Sequence, residues 1–195
     1  MKTALPLALA TLLLTAALPA CTSNSDSVEA AEKANAARNE ALPTESAEKK
    51  ADFDASFLVR AASHSLMAQD LCSLVAKRAT TPAVREYAQR MMVEHSRATQ
   101  EISALAQRRK VVLPTMMGEE AQEVFRNVEE KQGVALDRTF VREIRQDHEA
   151  EIREYAAAIE RAADPDIRTL ATRLQPYLQE HLALVTELEQ QLRRQ

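Results

Sequence analysis

Two stretches of this chain repeat one pattern, and the repeat restricts the fold to paired helical hairpins. Residues 82–95 read PAVREYAQRMMVEH and residues 165–181 read PDIRTLATRLQPYLQEH. Pro82/Pro165, Val84/Ile167, Arg85/Arg168, Tyr87/Leu170, Ala88/Ala171, Arg90/Arg173 and Met91/Leu174 fall in register. Each copy opens a helix. Thr81 or Asp164 stands at the cap position, and proline takes the first helical position, where a missing N–H costs nothing. Each copy also carries a histidine on its apolar face, His95 and His181.

Apolar seams extend this reading over the rest of the chain. Helices are predicted over 53–79, 82–109, 135–162 and 165–192. The first shows Phe57, Ala61, His64, Ala68, Leu71 and Val75 at alternating four- and three-residue steps, and the third shows Val141, Ile144, His148, Glu151, Tyr155 and Ala158. Such stripes bury against partner helices. The Thr-Pro and Asp-Pro turns are short enough to make each pair antiparallel neighbours. The two glycines, Gly118 and Gly133, bracket a short helix predicted over 119–131. The fold class is therefore all-α: a four-helix bundle of two related hairpins with a short connecting helix. The connector either caps one end of the bundle, giving up-down-up-down topology, or runs its length as a crossover, and the pattern leaves both open.

The four histidines, one per long helix, all lie on a seam. They sit roughly 13–18 residues from the nearest inter-helix proline, which at 1.5 Å per residue is a height of roughly 20–27 Å. Four imidazoles at one depth of an apolar core is how bundle metal sites are built. Neutral imidazole suits Fe, Zn or Cu. The candidate metal ligands are His95, His148 and His181, completed by His64 or Glu151, around one transition metal ion. The alternative is that each ring simply hydrogen-bonds a neighbouring carboxylate, with Glu94, Asp147, Glu151 and Glu180 at hand. The sequence argues against a di-iron carboxylate centre of the Glu-x-x-His type: the residues three before His95, His148 and His181 are Met92, Arg145 and Leu178. Met67, Met91 and Met92 would suit Cu(I), although methionine at helical spacing is commonly core filler. Cys72 lies off the seam, and no nucleophile triad, phosphate loop or nucleotide fingerprint points to an enzyme. Pro176, inside the last helix, is expected to bend it about one turn before His181.

The N-terminus sets the expected location. Residues 4–20 form an apolar run of about 17 residues behind Met1-Lys2, marginal for a membrane span and fitting a secretory signal. Leu18-Pro19-Ala20-Cys21 resembles a lipoprotein cleavage box, with Pro19 departing from the usual small or aliphatic residue. On this reading residues 1–20 are a lipoprotein signal peptide and Cys21 is lipidated. Residues 21–52 form a disordered tether, because their Ser, Asn, Ala, Glu and Lys bury little apolar surface. Residues 53–195 form the bundle. The partner is then a membrane, reached through the lipid anchor, and Thr22 after the cysteine resembles sorting to the outer membrane, facing the periplasm. An ordinary signal peptide and a soluble periplasmic protein is the alternative. A net charge of −4 with no basic stripe excludes nucleic acid as a partner. With Cys21 acylated only Cys72 remains, so no internal disulfide is expected.

FLVRAA (57–62), YAQRMMVEH ending at His95, Leu113-Pro114, QDHEAEI around His148 and LQPYLQEHL (174–182) together resemble a bacterial family of exported proteins. That family is catalogued as domain of unknown function 4142 and grouped with ferritin-like bundles. The resemblance spans about residues 53–192 and rests most specifically on Glu94-His95 and on Pro176-x-x-x-Glu180-His181. It implies a ferritin-like fold, which favours the crossover, and no established activity. The family pattern has a Glu where this chain has Ala68 and no histidine at His64, one turn away. Either His64 replaces the acidic ligand or this member has lost the site. Two functions follow as expectations: an envelope lipoprotein binding a transition metal for metal buffering or oxidative-stress protection, or an acatalytic envelope protein that binds a partner.

Overall fold

The computed structural model describes residues 26–194, so the expected signal peptide and Cys21 lie outside the described residues. Among the described residues there are six helices: α1 Ser27–Asn39, α2 Glu45–Arg78, α3 Pro82–Arg109, α4 Glu119–Glu129, α5 Gly133–Arg161 and α6 Pro165–Arg193. No strand occurs among the described residues. Both prolines stand at the first turn as expected. Asp164 caps α6 by accepting from the Asp166 N–H, whereas Thr81 makes no capping bond of its own. The helix α6 continues through Pro176.

The start of α3 is held from another helix. Asp137 of α5, fully buried, accepts from the Thr81 N–H at 2.7 Å and the Thr80 hydroxyl at 2.7 Å, and both its oxygens also take the Thr80 N–H. Asp54 of α2 does the same for the other hairpin, accepting from Ala163 N–H at 2.9 Å and Asp164 N–H at 2.8 Å. Asp54 and Asp137 are separated by the same interval as Pro82 and Pro165. Arg85 and Arg168, at that interval too, donate to the carbonyls of Ala79 and Ala162 at the ends of the preceding helices. The repeat is thus reciprocal: each hairpin grips the turn of the other.

These bonds also determine the topology. Asp54 near the start of α2 lies beside the α5–α6 turn, and Asp137 near the start of α5 lies beside the α2–α3 turn, so α2 and α5 are antiparallel. Arg109 at the end of α3 pairs with Asp164 and Asp166 at the start of α6. Since α3 ends where α6 begins and α5 begins where α3 begins, the connector travels the length of the bundle. The crossover is the topology, with α4 packed on α2 and α5 along the way.

Two apolar clusters fill the interior. One holds Leu71, Val75, Met91, Phe140, Ile144 and Val185, the other Phe57, Ile102, Leu105, Tyr155, Ile167 and Leu178. On every long helix the histidine falls between the two. A polar layer therefore divides the core where continuous hydrophobic packing would be more stabilising.

The tether expectation fails over its described part. Residues 27–39 are helical, and α2 begins at Glu45 rather than at 53. Composition counted only apolar surface, but α1 is fastened by polar bonds. Asn35, 2 % exposed, pairs with both backbone groups of Val112 at 2.8 Å each. Asp26 accepts from Glu119 N–H, Asn39 donates to Asp52, and Ser56 donates to Glu32. Gly118 allows the close approach: a Cβ there would meet Val28 at 2.8 Å. The helix α1 thus straps the crossover to the bundle. Asn35→Ala should strand both Val112 groups and cost about 1–3 kcal/mol. Amide exchange should report it first at residues 110–118, well before the bundle helices.

Candidate metal centre

Three rings converge in the polar layer. α3 supplies His95, α5 His148 and α6 His181, which are 3 %, 0 % and 2 % exposed. Their centroids lie 5.6 Å (95–148), 5.6 Å (95–181) and 5.4 Å (148–181) apart. One nitrogen from each falls within 4.8 Å of the others. An ion bound tetrahedrally at 2.0–2.1 Å would draw those nitrogens to about 3.3 Å, an adjustment on the scale of side-chain torsions.

Hydrogen bonding sets these rings apart from ordinary core histidines. Both nitrogens of His95, both of His148 and Nδ1 of His181 are buried with no protein partner. Each such group costs about 1–3 kcal/mol when nothing satisfies it. The remaining nitrogen, His181 Nε2, donates to Glu94, which is itself held by Arg90 at 2.9 Å; Arg90 also holds Glu180 at 2.7 Å. With its proton on Nε2, His181 presents Nδ1 as a lone pair. A carboxylate behind a ligating imidazole is the usual support of a metal-bound histidine.

The rings are poised as neutral donors. Burial, with the charges of His181 and His64, pushes His95 down to about 3. Burial drives His148 well below its ordinary value and lowers His181 despite Glu94. Burial raises Glu94, but the bonds from His181 and Arg90 outweigh it and hold the carboxyl below its usual range. In metal-free protein this produces an acid sensitivity. The unfolded chain protonates its histidines below about pH 6.5, while folded His95 resists until about 3, so stability falls as pH drops through that window. The loss per ring is up to about 1.4 kcal/mol per pH unit. Glu151, pushed up to about 8 by burial and the Asp147 charge, acts in the opposite sense between about 4.5 and 8. Comparing wild type with His95→Leu isolates the His95 share: the fall in urea midpoint from pH 6.5 to 4.5 should be smaller in the variant.

His64 does not join the three. Its Nδ1 bonds Asp147 Oδ1 at 2.6 Å and its Nε2 lies 4.0 Å from Glu154, with the side chain 24 % exposed. Burial would lower it, but Asp147, Glu151 and Glu154 carry it up to about 10, making it a cation. It sits at the expected height but faces the carboxylates of α5. The expected completion of the shell by His64 is therefore corrected. Glu151, 1 % exposed and without a partner on either oxygen, lies 4.0 Å from His148 Nδ1. Asp147, missed as a candidate ligand, forms a second cluster with His148 and Glu151. Its signal was the spacing Asp-His-x-x-Glu on one helix. Cys72 is fully buried and burial pushes its thiol up, in keeping with an inert core residue.

A cavity of about 120 Å³ adjoins the site between α3 and α6, lined by His95, His181, Glu151, Tyr155, Leu174 and Arg97 among others, and Ser65 rather than His64 reaches it from α2. It offers an entry path from the surface to the rings.

No curated protein matches the chain. Among solved structures it is similar to a DUF305 fragment from Deinococcus radiodurans, at 15 % identity and a TM-score of 0.63, covering 73 % of this chain and 97 % of that one. At that identity the likeness concerns the fold alone. The family model of a domain of unknown function (DUF4142) matches residues 39–188, taking in the end of α1, the whole crossover and all three converging histidines. The chain belongs to the DUF4142 family.

Proposed function

We propose that this protein holds one transition metal ion through His95, His148 and His181, in the service of metal buffering or protection from oxidative stress. Five buried ring nitrogens without partners, on three helices at one depth, carry the reading. Three neutral imidazoles fit Zn²⁺, Cu or Fe²⁺, and a bound ion would turn their desolvation cost into binding energy. The Glu94–Arg90 pair would orient His181, and the cavity would let the ion in. The ion itself would supply Lewis acidity or redox capacity. The sequence of residues 1–21 supports an envelope lipoprotein, anchored through Cys21 and facing the periplasm.

Elemental analysis of protein purified from its native envelope, beside a His148→Ala/His181→Ala variant, tests the site. Metal in the wild type and its loss in the variant is the expected result. Equal content in both, or no shift in melting with EDTA, Zn²⁺, Cu²⁺ or Fe²⁺, would leave a helical scaffold that binds a partner instead.

A further inference from the structure

We infer that a second divalent cation binds beside the first, on the Nδ1 side of His148, held by that nitrogen together with Asp147 Oδ2 and the Glu151 carboxylate. This rests on the histidine site being a metal site in one respect: the two would share His148, Nε2 serving the first ion and Nδ1 the second.

The geometry comes from one turn of α5. Asp147 and Glu151 are four residues apart, hence on one face of the helix, with His148 between them. One donor atom of each of the three lies within 4.8 Å of the others. His148 Nδ1 is 4.0 Å from Asp147 Oδ2 and 4.0 Å from Glu151 Oε2. His64 fastens Asp147 by Oδ1, leaving Oδ2 free toward His148.

Carboxylates behind a metal-bound histidine normally act by accepting its N–H. That role does not account for what is here. Asp147 Oδ2 and both oxygens of Glu151 are buried without a partner. One imidazole N–H satisfies one of these three oxygens and leaves two buried without a protein partner. His148 Nδ1, fully buried and without a side-chain partner, has only the Ile144 carbonyl of its own helix nearby and so points to a ligand independently of the acidic pair. A divalent cation answers all four atoms at once. On its entry the Nδ1 proton of His148, and any proton on Glu151, leave to bulk water. One nitrogen with two carboxylates is a harder donor set than three imidazoles, so Zn²⁺, Mn²⁺ or Fe²⁺ would enter both sites and Cu(I) only the first.

Zinc counting by native mass spectrometry, after gel filtration of the loaded full chain, tests this. Two Zn²⁺ per wild-type chain are expected. One is expected in Asp147→Asn, and one in His95→Leu/His181→Leu, where the acidic site survives. Glu151→Gln, whose carboxylate has no protein partner to lose, replaces Asp147→Asn if that variant fails to fold. A count of one in the wild type would overturn the second site and keep the first, whereas zero would overturn both. Two ions retained in both Asp147→Asn and Glu151→Gln would place the second ion elsewhere and overturn the inference.

Discussion

Replacing His148 by leucine is expected to stabilise the metal-free fold by about 1–3 kcal/mol while abolishing its stabilisation by metal. The two effects have opposite signs because the ring has opposite roles in the two states. Without an ion, both nitrogens of a fully buried side chain go unsatisfied, and an apolar residue of similar size removes that penalty. With an ion, the ring is one of three ligands. Metal present at 100 times its Kd should add about 2.7 kcal/mol to the wild type, and that increment should vanish in the variant. Urea melts of both proteins, with chelator and with saturating Zn²⁺, give all four values. A metal-free variant less stable than wild type by 2 kcal/mol or more would mean that the ring packs as an ordinary core residue. Glu94→Gln is the graded companion: it keeps the rings but loses the charged acceptor behind His181, and should weaken metal binding about 10–100-fold.

The second large effect lies far from the rings. Asp137→Ala should cost about 3–5 kcal/mol, out of a total that for a domain of this size is about 5–15 kcal/mol. The carboxylate is fully buried and takes the backbone N–H groups of Thr80 and Thr81 and the Thr80 hydroxyl, all of which lose that acceptor when it is removed. Hydrogen bonds to a charged group are among the stronger ones, at about 1.5–3 kcal/mol each, though not additive. Asp137→Asn keeps one acceptor oxygen and should lose roughly half as much. Asp54→Ala, its counterpart in the other hairpin, should fall between the two, since Asp54 accepts two backbone bonds and is slightly exposed. Denaturant titration reads all three as lower midpoints at unchanged slope. Equal stability of Asp137→Ala and wild type would show that the turns are held by apolar packing alone.

The helices were legible because their signals are local. The proline-opened helix expected over 82–109 is α3 at those bounds, and 165–192 differs from α6 by a single residue. Capping was less so: Thr81 reads as a cap in sequence, but Asp137 of a different helix does that work. The N-terminal segment misled for a related reason. Its composition is poor in apolar side chains, yet Asn35 and Asp26 fasten it through bonds to backbone groups of the crossover. Nothing within 27–39 announces those partners. In the metal centre, counting residues along each helix set four rings at one height, and three of them meet. His64 shares the height but pairs with Asp147, because direction around the helix axis depends on how neighbouring helices pack. Asp147 itself was visible only as a possible hydrogen-bond acceptor, although its spacing to Glu151 already placed the two on one face.

Sequence alone thus determined the all-α class, the two hairpins, the apolar stripes and the depth of the histidines. Each follows from a period of 3.6 residues and a rise of 1.5 Å, quantities that a chain carries along its own length. The tertiary structure decided the direction of the crossover, the reciprocal grip of Asp54 and Asp137, the docking of α1, and which imidazoles face one another. Those outcomes turn on contacts between residues far apart in the chain, where packing of one helix against another sets the rotation of each, and no periodicity within a single helix encodes them.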